Sequence, residues 1–204
     1  MDNEDSLLKS LSQRQGAIKK ISQVASFKAR KILANGVFMS KLIYLMPVWA
    51  GCEDYLVKAL QIIQNKVARS VTRKDIFTPT HVLMKECGWL TVKQLLVYHS
   101  LLQFHKTKQQ HAPTYLHQRI TDQLSMLETR DAASRHYNYK TRQEASGALR
   151  QVQGAEAKLD LAERSWCWRA AKTYHSLPVG IKNLGKQSKF KTQLRAWVKK
   201  NVEP

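Results

Sequence analysis

Apolar positions in the first half of the chain recur every three or four residues, the spacing that lines one face of a helix. Leu7, Leu8, Leu11, Ile18, Ile21 and Val24 form the first series, with Gly16, Lys19, Lys20 and Gln23 on another face. Ser26 is a suitable N-cap for a second helix through Phe27, Leu33, Val37, Ser40 and Tyr44, ending near Pro47. Glu53 and Asp54 suit the first turn of a third, where the helix dipole favours carboxylates. At about 100° per residue, Leu56, Leu60, Ile63, Val67 and Val71 then fall on one side of it. Lys58, Asn65, Lys66, Arg69 and Arg73 fall opposite, with Ile62 stranded among them. A basic stripe facing away from the core implies that charge reversal at Arg69 and Arg73 leaves the helix intact.

Further along, Thr78-Pro79 opens a short helix that Gly88 closes. Thr91-Val92-Lys93-Gln94 has the form of a capping box, and Val92, Leu95, Leu96, His99 and Leu102 give the helix behind it an apolar face. Ala112-Pro113 starts a short turn. Apolar density drops from Glu128 to Gly154, a stretch read as a loop with room for a weak β-hairpin. Leu159 to Tyr174 then precedes a stop at Ser176-Leu177-Pro178. Ser188 caps a last helix with Phe190, Leu194, Trp197 and Val198 on one side and Lys191, Arg195 and Lys199 on the other. These elements predict a mainly α fold: a multi-helical bundle over residues 1–127, a linker at 128–158 that accommodates a short hairpin, and a smaller basic helical subdomain at 159–204.

Charge changes the picture. The 204 residues carry 34 Lys and Arg against 15 Asp and Glu, a net +19. Between Lys9 and Lys41 stand eight basic residues and no acid; between Arg164 and Val202 stand ten and none. Solubility alone is served by mixed signs, so two acid-free blocks point to a polyanionic partner, with anionic lipid as the other polyanion that polybasic segments bind. The longest apolar run, LIYLMPVWAG, is about half a bilayer span and contains Pro47, which excludes a membrane-crossing helix there. The acidic start MDNEDS is unlike a secretory signal. Three scattered cysteines, Cys52, Cys87 and Cys167, fit a reducing compartment better than a disulfide framework. The expectation is an intracellular protein, nuclear or cytoplasmic and not secreted.

Catalytic and metal chemistry find little support. His99, His105, His111 and His117 recur every six residues, about 600° of helix, and diverge rather than converge on a metal. The cysteines lack a local His partner, and the eight glycines are scattered singly, so neither a thiol nucleophile nor a phosphate-cradling loop is indicated. No cofactor is expected. Trp49, Trp89 and Trp197 read as core anchors. Trp166 and Trp168, flanked by Arg164 and Arg169, have two readings: core, or a stacking platform for unpaired bases.

Three stretches carry a family resemblance. The first is QGAIKKISQVASFKARKILANGVFMSKLIYLMPVWAG with LVKALQIIQNKVARSVTR; the second is Cys87-Gly88-Trp89-Leu90 and the helix that follows. The third is Ser165-Trp166 with Trp168-Arg169-Ala170, then Tyr174-His175-Ser176-Leu177-Pro178 and Phe190-Lys191. In this order they resemble the thumb and post-thumb region of LINE-type, non-LTR retrotransposon reverse transcriptases, and together they cover most of the chain. The resemblance implies a thumb-like bundle whose first helices lie along a template–primer duplex, with Lys19, Lys20, Lys28, Arg30, Lys31, Lys66, Arg69 and Arg73 on phosphates. It also implies a C-terminal block gripping element RNA or target DNA through Arg164, Arg169, Lys172, Lys191, Arg195 and Lys199. The family's paired aspartates for two metal ions are missing: Glu4-Asp5 and Glu53-Asp54 are the only adjacent acids, neither in that context. The expectation is a C-terminal fragment that binds RNA, DNA or their hybrid, packs against a reverse-transcriptase palm, and does not polymerise by itself. The alternatives are a non-catalytic basic module for a protein partner or an anionic membrane surface, and a decayed element with no selected function.

Overall fold

Local signals account for several helix ends, though the last helix begins at Gln187 and so holds Ser188 inside it rather than as its cap. The computed structural model describes residues 2–44, 46, 54–109, 113–118, 120–122, 124–125 and 166–202. Among these it is helix and turn, without a strand. The elements are α1 (Asp2–Ile21), α2 (Phe27–Leu33), a π-helical segment (Ala34–Met39), α3 (Ser40–Ile43), α4 (Asp54–Thr72), α5 (Thr80–Cys87), α6 (Val92–Lys108), α7 (Trp166–His175), α8 (Val179–Lys182) and α9 (Gln187–Asn201). The Ser26 hydroxyl accepts from the Ala29 N–H at 3.4 Å, as its N-cap position predicts. Gly88 closes α5 at φ 68°, a left-handed C-cap that a side chain would strain. At α6 the capping box is complete: Gln94 N–H donates to Thr91 Oγ1 at 3.3 Å, and Thr91 N–H donates to Gln94 Oε1 at 3.2 Å.

The chain divides into two compact units, residues 1–98 with 194–204, and residues 99–193. The linker and hairpin expected at 128–158 lie outside the described residues. In the first unit α4 packs against α1, α2 and α5, burying Leu56, Leu60, Ile63, Val67 and Val71 as its periodicity predicts, while Ile62 stays 56% exposed. Leu7, Leu11 and Ile18 are the buried face of α1. That series runs out early: the helix ends at Ile21, which is exposed, and Val24 sits 93% exposed in the following turn. The second helix departs further. Its π segment makes a wider i→i+5 turn, so residues four apart stay in line instead of drifting by about 40° as in an α-helix. Arg30, Ala34, Phe38 and Leu42 therefore share the buried face, and Tyr44 is left exposed.

Arg30 is the unexpected member of this core. Its Nε donates to the Val71 carbonyl at 2.8 Å and its Nη1 to the Ala25 carbonyl at 2.7 Å. Val71 lies in the last turn of α4, where carbonyls have no intrahelical donor. Next to it Arg73 ends the helix at φ 57°, a conformation costing a non-glycine residue about 1 kcal/mol. Its Nη2 donates to the Ser22 and Gln23 carbonyls at 3.0 and 2.8 Å. Two guanidinium groups thus fasten the end of α4 to the α1–α2 turn. Deeper in, Gln64 is fully buried and its Nε2 donates to the Leu90 carbonyl at 2.9 Å, pinning α4 to the segment before α6.

The second unit centres on His105, packed face to face on Phe190 with ring centroids 3.7 Å apart and planes 8° from parallel. Its Nδ1 is 3.3 Å from Tyr174 Oη and its Nε2 is 3.0 Å from Gln109 Nε2. An amide nitrogen can only donate, so as placed Nε2 accepts and the neutral Nδ1–H tautomer donates to Tyr174. Phe104, Tyr174, Trp168, Ala171 and Leu177 complete the buried cluster.

Two outcomes follow from these contacts. Arg30→Ala strands the Val71 and Ala25 carbonyls and should destabilise the chain by about 2–4 kcal/mol in urea unfolding, whereas Lys28→Ala, at an exposed site, should change little. Burial lowers the pKa of His105, helped by Lys108 and opposed by a backbone hydrogen bond at Leu184; burial and Lys106 lower that of His99. The unfolded imidazoles then take up protons at a higher pH than the folded ones. Stability should be full above about pH 7 and fall as pH drops below about 6.5, with a shallower fall in His105→Phe, measured as the urea midpoint against pH.

Candidate nucleic-acid interface

The basic residues singled out by sequence separate by what their charged ends touch. In the first unit, Lys19 and Lys20 stand exposed in the last turn of α1, and Lys28 stands exposed in the first turn of α2. All three flank the turn that Arg73 holds. Cations at a helix C-terminus complement its dipole, which gives Lys19 and Lys20 a local role as well. Lys66 is exposed on α4. Among the described residues no carboxylate is paired with Lys19, Lys20, Lys28 or Lys66.

Other members are engaged in the fold. Arg30 is 5% exposed, and its desolvation, with Arg73's like charge, lowers its pKa from the ordinary value. As placed, its Nε and Nη1 face carbonyls of the protein itself. Arg69 is half-buried, with Nη2 3.4 Å from the Thr78 carbonyl and a buried Nε without a partner. Arg73 is exposed but bonded to Ser22 and Gln23. The stripe therefore holds α4 to its neighbours as well as facing outward, and reversing Arg69 and Arg73 disturbs packing along with charge. Lys31 is half-buried with its Nζ beside Gly88.

The C-terminal set divides between the units. Arg169, Lys172 and Lys191 are exposed in the second. Arg195 and Lys199 are exposed in the first, where Arg195 Nη2 donates to the Gly88 carbonyl at 2.6 Å. Arg164 and the side chain of Trp166 lie outside the described residues. Trp168 is 8% exposed, which fits the core reading of that residue. Trp89 is buried as expected, its Nε1 donating to Asn35 Oδ1 at 2.9 Å.

Sequence reasoning missed Lys85, which converges with Lys199 and Trp89 on one groove. The two lysines are 114 positions apart, and no periodicity links them. Among the described residues no three His, Cys, Asp or Glu side chains gather as a metal site, and no helix is long and apolar enough to cross a membrane. Cys87 is buried; desolvation pushes its thiol up to about 11, with Glu86 adding and Lys31 opposing. Native protein treated with a thiol reagent at neutral pH should leave Cys87 unlabelled, and denatured protein should label it fully, read by peptide mass. Family models, curated proteins and solved structures compared with the chain give no match.

Proposed function

We propose that the chain binds nucleic acid through phosphate contacts, as a non-catalytic thumb-type element of a LINE-type reverse transcriptase. One observation supports this above the rest: Lys19, Lys20, Lys28 and Lys66 are exposed without carboxylate partners among the described residues, in a stretch where Glu53 and Asp54 are the only acids between Lys9 and Arg73. Long, mobile ammonium groups around a rigid helical turn suit a backbone whose charges repeat whatever the sequence. They position a duplex and let it slide without reading its bases. Polymerisation belongs, on this reading, to a palm that carries the metal-binding aspartates.

A second reading has its own observation. The turn after α1 and the loop after α4, joined by Arg73, carry Val24, Ile76 and Phe77 at 93%, 72% and 92% exposure. Exposed apolar side chains that form a contiguous patch mark docking surfaces on proteins. A protein partner, a reverse-transcriptase palm included, is the occupant that fits an apolar tip with basic flanks.

Binding to a short RNA–DNA hybrid across a salt series tests the first reading. With six to ten phosphates engaged, log K should fall against log salt with a slope of about −5 to −9. Replacing Lys19, Lys20 and Lys28 together by Gln should flatten that slope by about 3 while the helical signal stays unchanged. A wild-type slope shallower than about −2, or no binding by the folded protein, overturns the phosphate reading and leaves the protein-docking one.

A further inference from the structure

A groove of about 290 Å³ opens in the first unit, near the lower limit for small-molecule sites. Helix α5 contributes His81, Met84 and Lys85; the left-handed turn at Gly88 brings Trp89 alongside; Lys199 reaches it from α9. Thr91 and Gln94, the capping box of α6, close the lining. Two long-range bonds fix α9 here: Arg195 to the Gly88 carbonyl, and Gln94 Nε2 to the Val202 carbonyl at 3.0 Å. The groove is therefore held by the same contacts that place the last helix in its unit.

Its chemistry is lopsided. Lys85 and Lys199 are exposed ammonium groups without hydrogen bonds among the described residues, and among those residues no acid lines the groove. Met84 and Trp89 form a buried apolar floor. Two of the polar residues beside it are already committed, while the exposed His81 has no hydrogen bond among the described residues. Gln94 accepts from Thr91 N–H through Oε1 and donates to Val202 through Nε2. Thr91 Oγ1 accepts from Gln94 N–H, and the Trp89 N–H is directed away to Asn35. Two cations over an apolar floor, with His81 left as the side chain that could meet a hydrogen-bonding edge, fit an anion joined to a flat apolar body and distinguish little between one such body and another.

We infer that this groove takes one unpaired nucleotide of a single strand, its phosphate between Lys85 and Lys199 and its base against Met84 and Trp89. The assignment rests on the nucleic-acid reading and extends it. Duplex phosphates engage the lysines around the α1–α2 turn, and the groove adds a place for a strand with its bases free. Recognition by charge and apolar contact is tolerant of sequence.

The test uses the full chain, a labelled single-stranded RNA of about 12 nucleotides, the same strand made without its bases, and the RNA–DNA hybrid. Lys85→Gln should weaken single-strand binding by about fivefold or more and leave hybrid binding within about twofold. Wild-type protein should bind the base-less strand at least about fivefold more weakly than the intact one. The groove assignment is overturned if the variant weakens both nucleic acids alike, if its single-strand affinity is unchanged, or if the base-less strand binds as well as the intact one. In each of those cases intact hybrid binding by the wild type leaves the phosphate reading standing. Failure of folded wild-type protein to bind either probe removes both. The base-less strand needs no variant, so the test does not depend on how the variant folds.

Discussion

Helices that end inside a protein leave carbonyl groups that must find donors: at the junction of α4 with the α1–α2 turn, Arg30 serves the Val71 carbonyl of α4 and Arg73 serves the carbonyls of Ser22 and Gln23 after α1. The rest of the first unit depends on this arrangement. α4 is its central helix, packed against α1, α2 and α5, and its C-terminus meets the turn that joins α1 to α2. Three features meet at this junction. A charged side chain is buried at position 30, a non-glycine residue takes a left-handed backbone at position 73, and the carbonyls of residues 22, 23 and 25 turn toward the guanidinium groups. An arginine serves where a lysine would not, because its planar fork donates in several fixed directions at once.

What could be read from the residues alone follows the range of the interactions. The capping box at Thr91 and Gln94, the Ser26 cap, the Gly88 stop and the apolar face of α4 all arise within a few residues, and each was legible. Arg30 was not. Its partner carbonyl is 41 positions away, and an arginine inside an acid-free block looks like a surface cation whichever way it points. The π segment defeated the helical period for a related reason. A wider turn between Ala34 and Met39 changes which residues share a face, and nothing in the string ANGVFM announces it. Of the candidate interface, the identity of the basic residues was legible and their engagement was not; Trp168 was equally ambiguous until its burial was seen.

The second unit shows the same economy in a different chemistry. His105 fills the space of an aromatic ring against Phe190 while satisfying Tyr174 and Gln109 at its edges. A neutral imidazole can do both, since one nitrogen donates and the other accepts. A protonated one cannot, because both nitrogens then donate and Gln109 presents an amide N–H as placed. Lys108 lies 5.3 Å from the Tyr174 ring centroid, adding positive charge close to the same imidazole. The core is therefore built for the uncharged form, which makes the ring a packing element whose polarity is tied to its protonation.

Across the chain, positive charge is divided between two tasks. Arg30 and Arg73, and Arg195 at Gly88, face backbone carbonyls and hold elements together; their charge is absorbed by dipoles of the protein itself. Lys19, Lys20, Lys28 and Lys66 face outward, without carboxylate partners among the described residues. The split follows residue chemistry: the pre-organised guanidinium is suited to fixed carbonyls, the hydrated and flexible ammonium to a partner whose phosphates move past it. A net charge of +19 makes the compact state repel itself, and the arginine contacts must hold against that repulsion. A polyanion reverses the sign of the problem, because it neutralises the lysines and leaves the arginines at their carbonyls. The same charge that strains the free protein then favours the bound one, which is the physical reason to expect a partner rather than a solvated surface.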